Sequence, residues 1–129
     1  MIQRFIELGE GYSDIYELIE LTRANKHRVS RMFVLNTKHN GRDLSSFIVA
    51  LNPTDPGKFQ ALYICREGIP NHEVTPNKRY ELFAQLANEV EKNIISFDVK
   101  HSSMFGEKEL YFQHLIGILR MNRYIPPMQ

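Results

Sequence analysis

The residues of this chain best suited to chemistry are the basic side chains of one segment, residues 23–42. This segment contains six lysines and arginines and no acid, whereas the rest of the 129-residue chain contains ten bases and fifteen acids. The formal net charge of +1 therefore conceals a polarised sequence. Guanidinium and ammonium groups bind carboxylates and phosphates, so we predict an anion- or partner-binding surface at Arg28, Arg31, Lys38 and Arg42.

Two interpretations of this basic segment stay open. In the first, the bases form ion pairs with acids of the same chain, such as Glu17, Glu20 and the glutamates of residues 81–91. Side chains alternate between the two faces of a strand, so Arg28 and Arg31 cannot point the same way, and this favours internal pairing. In the second, the bases meet an acidic protein, a nucleic acid or a neighbouring subunit.

No complete catalytic or metal-binding pattern accompanies these bases. The sequence has no P-loop and no G-x-S-x-G motif, and Gly9-Glu10-Gly11 lacks the third glycine of a dinucleotide fingerprint. Its five histidines are scattered and not at metal-ligand spacing. Cys65 closes an apolar strand pattern, where unpaired cysteines usually pack as small hydrophobic residues. We therefore predict no catalytic residue, no metal site and no cofactor.

Cysteine content and apolar run length bear on the compartment. A single cysteine cannot form an intramolecular disulfide, and residues 1–7 lack the apolar centre of a secretory signal. The longest apolar run, Phe47–Leu51, is far shorter than the ~20 residues of a membrane helix. We expect a cytoplasmic protein without membrane contact, and the chain length predicts one globular domain over residues 1–129.

The centre of the chain predicts a β-hairpin. Residues 29–36 carry apolar side chains on both parities, with Met32 and Val34 on one face and Phe33 and Leu35 on the other. This pattern is typical of a strand that is covered on both faces.

The hairpin turn also predicts its register. Asn40-Gly41 is the favoured pair for a two-residue type I′ turn, because both positions need a positive φ. Such a turn places His39 opposite Arg42 and Phe33 opposite Ile48.

Periodicity and turn residues outline the other elements. They predict a strand over 1–8, a helix over 13–25, strands over 44–51 and 59–65, and a loop over 68–74. After this loop we expect a helix from a Thr75-Pro76 start to about Lys92 and a strand over 95–99. Ser103 and Gly106 introduce a last helix, whose expected buried residues are Leu110, Tyr111, Leu115, Ile118 and Leu119.

The resulting order, β-α-β-β-β-α-β-α, predicts an α+β fold in which helices flank a mixed, mostly antiparallel sheet. The part α-β-β-β-α-β is also the element order of the core of restriction-endonuclease-like folds. An active nuclease of that type needs an acid near the second core strand and an acid-x-Lys pair on the third. Asp43 or Asp55 could supply the first acid, but residues 59–64 contain neither a carboxylate nor a lysine.

A family resemblance is carried by the N-terminal run Met1–Asp14 and by the Phe47–Leu51 block. With these segments the whole chain resembles a small family of uncharacterised proteins from Gram-positive spore-formers, some of which are labelled methylthioribose kinase. Such a kinase needs a two-lobed scaffold, a strand lysine and metal-binding Asp and Asn motifs. None of these fits this chain, so the resemblance implies no functional residue.

The leading functional hypothesis is a non-enzymatic interaction or regulatory domain that associates into a homo-oligomer. The alternative is a degenerate nuclease-like fold that binds nucleic acid or another anionic partner through residues 23–42. A weaker alternative is a small-ligand domain that uses Tyr12 and Tyr16.

Overall fold

The computed structural model describes residues 2–8, 14–39, 41–53, 59–99 and 108–126. Over these residues the chain forms five strands and three helices in the predicted order, with a short 3-10 turn at Lys26–Arg28 before β2. The α+β prediction is therefore confirmed. The elements are β1 (Gln3–Glu7), α1 (Asp14–Ala24), β2 (Val29–His39), β3 (Arg42–Leu51), β4 (Gln60–Pro70), α2 (Lys78–Glu89), β5 (Ile94–Asp98) and α3 (Lys108–Met121).

The five strands form one mixed sheet in the order β1-β4-β3-β2-β5. The long central pairs β2–β3 and β3–β4 are antiparallel, and the short edge strands β1 and β5 pair in parallel with β4 and β2. The parallel pairs require crossover connections, which α1 and α2 help to provide. A restriction-endonuclease-like topology is not confirmed by this arrangement and stays a prediction.

The β2–β3 hairpin has the register that its turn residues predict. Phe33 lies opposite Ile48 and His39 lies opposite Arg42. Gly41 has a φ of 75°, the left-handed conformation that a type I′ turn needs and that glycine adopts without steric cost. Asn40 lies outside the described residues.

Two hydrophobic clusters hold the helices on opposite faces of the sheet. Met32 and Val34 belong to the cluster beneath α1 and α2, whereas Phe33 and Leu35 belong to the cluster beneath α3. The strand alternation therefore makes three layers, as a strand covered on both faces requires. Cys65 is buried in the α1/α2 cluster, as predicted.

The prediction for the end of β4 was wrong. Residues 68–70 were expected in a loop, but β4 continues to Pro70, and Ile69 is fully buried opposite Ser45. A register shift between Ser45 and Phe47 lets β3 and β4 stay paired over this length. Pro70 is tolerated because it is the last residue of the strand.

The helix boundaries differ from prediction at two places. Helix α2 starts at Lys78, and its N-cap is Asn77, whose Oδ1 accepts a hydrogen bond of 2.9 Å from the Tyr80 N–H. The Thr75-Pro76 start is thus wrong, and the helix ends at Glu89, before the predicted Lys92. In α3, Leu110 is exposed and Phe112 is buried in its place. Ser103 and Gly106 lie outside the described residues.

No helix among the described residues is both long and apolar enough to cross a membrane.

Candidate anion-binding cleft

The four basic residues singled out in the sequence do not form one surface. Arg28 precedes β2 and Arg31 lies near its start, whereas Lys38 and Arg42 lie at the hairpin end. Seven residues of strand separate Arg31 from Lys38, which corresponds to about 23 Å at ~3.3 Å per residue. The basic segment is therefore divided between two ends of the sheet.

Several bases of the segment are engaged within the chain. The Arg28 guanidinium donates to the Asn52 carbonyl at 3.0 Å and to Asn25 Oδ1 at 3.1 Å. Lys38 Nζ lies 4.0 Å from Asp43 Oδ1 across the hairpin. Arg42 is exposed at the hairpin end. Anion binding by Arg28, Lys38 or Arg42 stays a prediction.

Arg23 forms the closest ion pair among the described residues. Its Nε and Nη2 each donate to a Glu89 carboxylate oxygen at 2.9 Å. These hydrogen bonds, together with the charge of Arg23, hold the pKa of Glu89 below its ordinary value, and the same hydrogen bonds with the charge of Glu89 raise the pKa of Arg23. The pair joins α1 to α2 on the face away from α3.

Arg31 differs from these bases because it lines a cleft. The cleft has a volume of about 560 Å³ and lies where the start of β2 meets the end of α3. Ligand sites for small molecules typically occupy 300–1,000 Å³. We call it the arginine cleft; it is lined by Ser30, Arg31, Arg120, Arg123, Tyr124, Ile125 and Pro126.

The end of α3 places two of the arginines. Helix α3 ends in a Schellman motif, in which the Tyr124 N–H donates to the Leu119 carbonyl and the Arg123 N–H donates to the Arg120 carbonyl, both at 3.0 Å. Arg123 therefore has a φ of 60°, at the position where glycine is the usual residue. The motif turns the chain back so that residues 123–126 form one wall of the cleft.

Arg120 is held by a polar network beneath the edge strand. Its Nε and Nη2 both donate to Gln3 Oε1, the Nε contact at 3.0 Å. Gln3 Nε2 in turn donates to the Pro126 carbonyl at 2.8 Å and lies 3.3 Å from Gln60 Oε1. Arg120 is thus fixed by a neutral amide, so its positive charge is not neutralised there.

The wall formed by residues 123–126 is also partly apolar. The Tyr124 ring packs against Phe33 with centroids 5.9 Å apart and lies nearly parallel to Phe97 at 6.4 Å. Ile125 is buried in the α3 cluster. This packing against Phe33 and Phe97 holds the Tyr124 ring in place before a ligand binds.

The cleft is electropositive. Its described lining contains three guanidinium groups and no carboxylate. Among the residues that the structure describes, Arg31, Arg120 and Arg123 form no ion pair. The lining offers anion recognition, a tyrosine and a serine, but no histidine, cysteine or acid that could serve as a base or nucleophile.

Two other cavities contain acidic residues and are therefore less suited to an anion. One of about 420 Å³ adjoins the cleft through Ser30 and Arg31 and includes both Glu91 and Lys92. Another, at the hairpin end, contains Asp43, Glu73 and Asp98. No group of three histidine, cysteine or acidic side chains in the described ranges is placed to hold a metal ion.

Sequence reasoning named Arg31 and missed Arg120, Arg123 and Tyr124. The bases of α3 lie about ninety residues beyond Arg31, and their spacing alone is that of an ordinary helix end, where basic residues complement the helix dipole. Only the packing of α3 on the β2 face brings them together. Of the two tyrosines considered for a ligand, Tyr16 is exposed on α1, across the sheet from α3, and Tyr12 lies outside the described residues.

Comparison with known proteins gives a family without a known role. A family model described as a domain of unknown function (DUF7147) matches residues 1–125. No curated protein and no solved structure matches the chain.

Proposed function

The chain belongs to this DUF7147 family, and we propose that it is a non-enzymatic interaction domain that binds an anionic partner in the arginine cleft. One observation carries the proposal: Arg31, Arg120 and Arg123 line one cleft together with no described carboxylate. Like charges gathered without a counter-charge repel one another, and an anion relieves that repulsion.

The end of α3 supports this role. Basic residues at a helix C-terminus often serve to satisfy its last carbonyls, but here backbone N–H groups and the Asn122 side chain already bond the carbonyls of Ile118, Leu119 and Arg120. The Arg120 and Arg123 side chains are therefore not needed as caps for those carbonyls.

Inorganic pyrophosphate is the probe for this proposal. Its effect on the thermal unfolding midpoint is measured at constant ionic strength for the natural chain, Arg31→Ala and Arg42→Ala. A ligand at a hundred times its Kd stabilises a protein by about 2.7 kcal/mol, so the natural chain is expected to show a clear rise in midpoint. Arg31→Ala is expected to lose most of this rise. Arg42→Ala, which removes an exposed arginine at the other end of the hairpin, is expected to keep it. An equal response of both variants, or no response of the natural chain, would contradict the proposal.

Self-association is a second candidate property, favoured by the edge strand β1. The Gln60 N–H donates to the Ile2 carbonyl and the Leu8 N–H donates to the Ile64 carbonyl, so the even-numbered residues of β1 face β4. The backbone groups of Gln3 and Phe5 therefore face the outer edge, where a second copy could pair. Ile2, at the start of this edge, is 58% exposed.

Light scattering across a range of concentrations tests this association. Ile2→Lys places a charge on the edge and is expected to reduce the apparent mass, because lysine on an edge strand opposes strand pairing. Val74→Lys changes an equally exposed aliphatic residue far along the chain and is expected to leave the mass unchanged. A monomeric mass for the natural chain at all concentrations would exclude the association.

We place this function in the cytoplasm, in agreement with a single, buried cysteine that requires no oxidising compartment.

A further inference from the structure

We infer that the partner of the arginine cleft is a free nucleotide with at least two phosphates, a nucleoside diphosphate being the simplest member of the class. This inference rests on the proposed function of the same cleft and goes further by assigning the chemical class of its ligand.

The charge of the cleft indicates a multiply charged ligand. Three guanidinium groups line it, and the only side-chain acceptor that the structure gives any of them is the neutral Gln3 amide on Arg120. A single carboxylate would leave most of this charge uncompensated. A diphosphate carries several acceptor oxygens and matches the planar fork of guanidinium in a bidentate manner.

The apolar residues of the 123–126 wall indicate a ligand with a flat apolar part. Tyr124 is half-buried and held by Phe33 and Phe97, and Pro126 continues the wall at the surface. A tyrosine ring stacks on any nucleobase, and guanidinium groups stack on bases as well. A basic lining and an aromatic ring in one cleft are the two features that a nucleotide requires.

The surroundings favour a free nucleotide over a nucleic acid strand. A strand needs a continuous basic track with interleaved aromatic residues. Here Arg23 is paired with Glu89, and Lys38 lies near Asp43 about 23 Å from Arg31. The adjoining cavity contains Glu91 beside Lys92, so the acid-free lining of the cleft does not continue in that direction. The three guanidinium groups of the cleft therefore line one volume of small-molecule size.

Backbone geometry supplies a matched control for Arg123. Two described non-glycine residues have a positive φ, Glu91 and Arg123, and each occupies the same position of a Schellman motif, at the ends of α2 and α3. A glycine would relieve the strain at either position. The two residues thus form a matched pair in which only Arg123 lines the arginine cleft.

The experiment measures the Kd of ADP, inorganic pyrophosphate and adenosine by titration calorimetry in metal-free buffer. For the natural chain, ADP is expected to bind about tenfold or more tightly than pyrophosphate because of base stacking, and adenosine is expected to bind weakly. Tyr124→Leu is expected to weaken ADP binding more than pyrophosphate binding and so to remove the advantage of ADP, whereas Tyr124→Phe keeps the ring and the advantage. Folding of each variant is verified by its circular dichroism spectrum and unfolding midpoint.

The matched glycine variants keep the test independent of fold stability. Arg123→Gly and Glu91→Gly are both expected to raise the urea midpoint, because glycine adopts the left-handed backbone conformation at these positions without steric strain. Arg123→Gly is expected to lose about tenfold or more in ADP affinity, and Glu91→Gly is expected to keep or improve it.

The outcomes separate the two proposals. Pyrophosphate binding without any advantage for ADP would overturn the nucleotide assignment and leave the anion site standing. Failure of both ligands would overturn both. Tight binding of a single-stranded oligonucleotide together with failure of ADP would overturn the free nucleotide in favour of nucleic acid.

Discussion

At the scale of single residues, the basic segment uses its charges in different ways. Arg23 pairs with Glu89, Arg28 bonds a carbonyl and an asparagine, and Lys38 lies beside Asp43. Arg31 instead faces a cleft with two other arginines. Internal pairing therefore describes part of the segment: Arg23 in α1, Arg28 in the turn before β2 and Lys38 at the hairpin end have partners in the chain, whereas Arg31 near the start of β2 lines the cleft.

The Arg23–Glu89 pair makes the stability of the chain depend on pH. Hydrogen bonding to Arg23 lowers the pKa of Glu89 in the folded state. A carboxyl whose folded pKa lies below its unfolded value, about 4.3 for glutamate, stabilises the fold above that value. The contribution is lost as the pH falls through the folded pKa. We expect Glu89→Gln to lower the unfolding midpoint slightly at pH 7, and we expect this difference to shrink as the pH falls through the folded pKa.

Urea denaturation of both chains at several pH values measures this difference. Glu17→Gln is the control, since it removes an exposed glutamate of α1 that makes no ion pair within the described part of the chain. The difference is also expected to shrink at high salt, because exposed ion pairs are screened. A Glu89→Gln effect that stays the same across the whole acid limb, down to pH values at which carboxylates are protonated, would show that the pair is not its cause.

Residue types could indicate part of the site from the sequence. Arg31 stands out because its segment contains no acid, a property that can be read directly from the chain. Arg120 and Arg123 could not be found in this way. Their participation depends on a helix end that turns back at a left-handed arginine, and the usual signal for such a turn is a glycine.

At the scale of elements, the central hairpin is the part that local chemistry determines most fully. The Asn-Gly turn and the apolar residues on both parities agree on one register, and the observed pairing of Phe33 with Ile48 confirms it. A slip of one residue would exchange Phe33 and Met32 between the two clusters, so packing on both faces supports the same register.

Element ends were predicted less well because tertiary contacts decide them. Gly68 and Pro70 are residues typical of loops, yet β4 continues through them because Ile69 is buried against the α1/α2 cluster. At α2, both Thr75 and Asn77 are good N-cap residues. Asn77 acts as the cap because its Nδ2 also donates to the Pro70 carbonyl at 2.9 Å, which ties the helix start to the end of β4.

The cap assignment at α2 can be tested with two alanine variants. Asn77→Ala removes the acceptor of the Tyr80 N–H and the donor to Pro70, so we expect a loss of about 1–2 kcal/mol in the free energy of unfolding. Thr75 is exposed, and Thr75→Ala is expected to change the free energy of unfolding by less than about 0.5 kcal/mol. Urea denaturation measures both changes, and a larger loss of stability for Thr75→Ala would support the predicted helix start at Thr75-Pro76.

At the scale of the whole molecule, the two ends of the described chain meet beside the arginine cleft. Gln3, in edge strand β1, bonds the Pro126 carbonyl and Arg120 and contacts Gln60 in β4. Edge strands are held by one neighbour only, and the buried Gln3 amide adds hydrogen bonds to the pairing of β1 with β4. The same amide fixes the direction of Arg120, and the integrity of the cleft is therefore coupled to the edge of the sheet.

Because of this coupling, we expect Gln3 to contribute more to the free energy of unfolding than an exposed glutamine does. Gln3→Leu leaves Arg120 without its described acceptor and the Pro126 carbonyl without its side-chain donor, and a buried polar group that loses its partner costs about 1–3 kcal/mol. Gln85→Leu, an exposed glutamine of α2, is the matched control and is expected to change the free energy of unfolding by less than about 0.5 kcal/mol. Urea denaturation followed by circular dichroism compares the two variants, and hydrogen exchange of the β1 amides shows whether the loss is local. We expect faster exchange in β1 for Gln3→Leu alone. Equal stability of the two variants would mean that β1 and the end of the chain are held by packing, and that the Gln3 amide contributes nothing to their attachment.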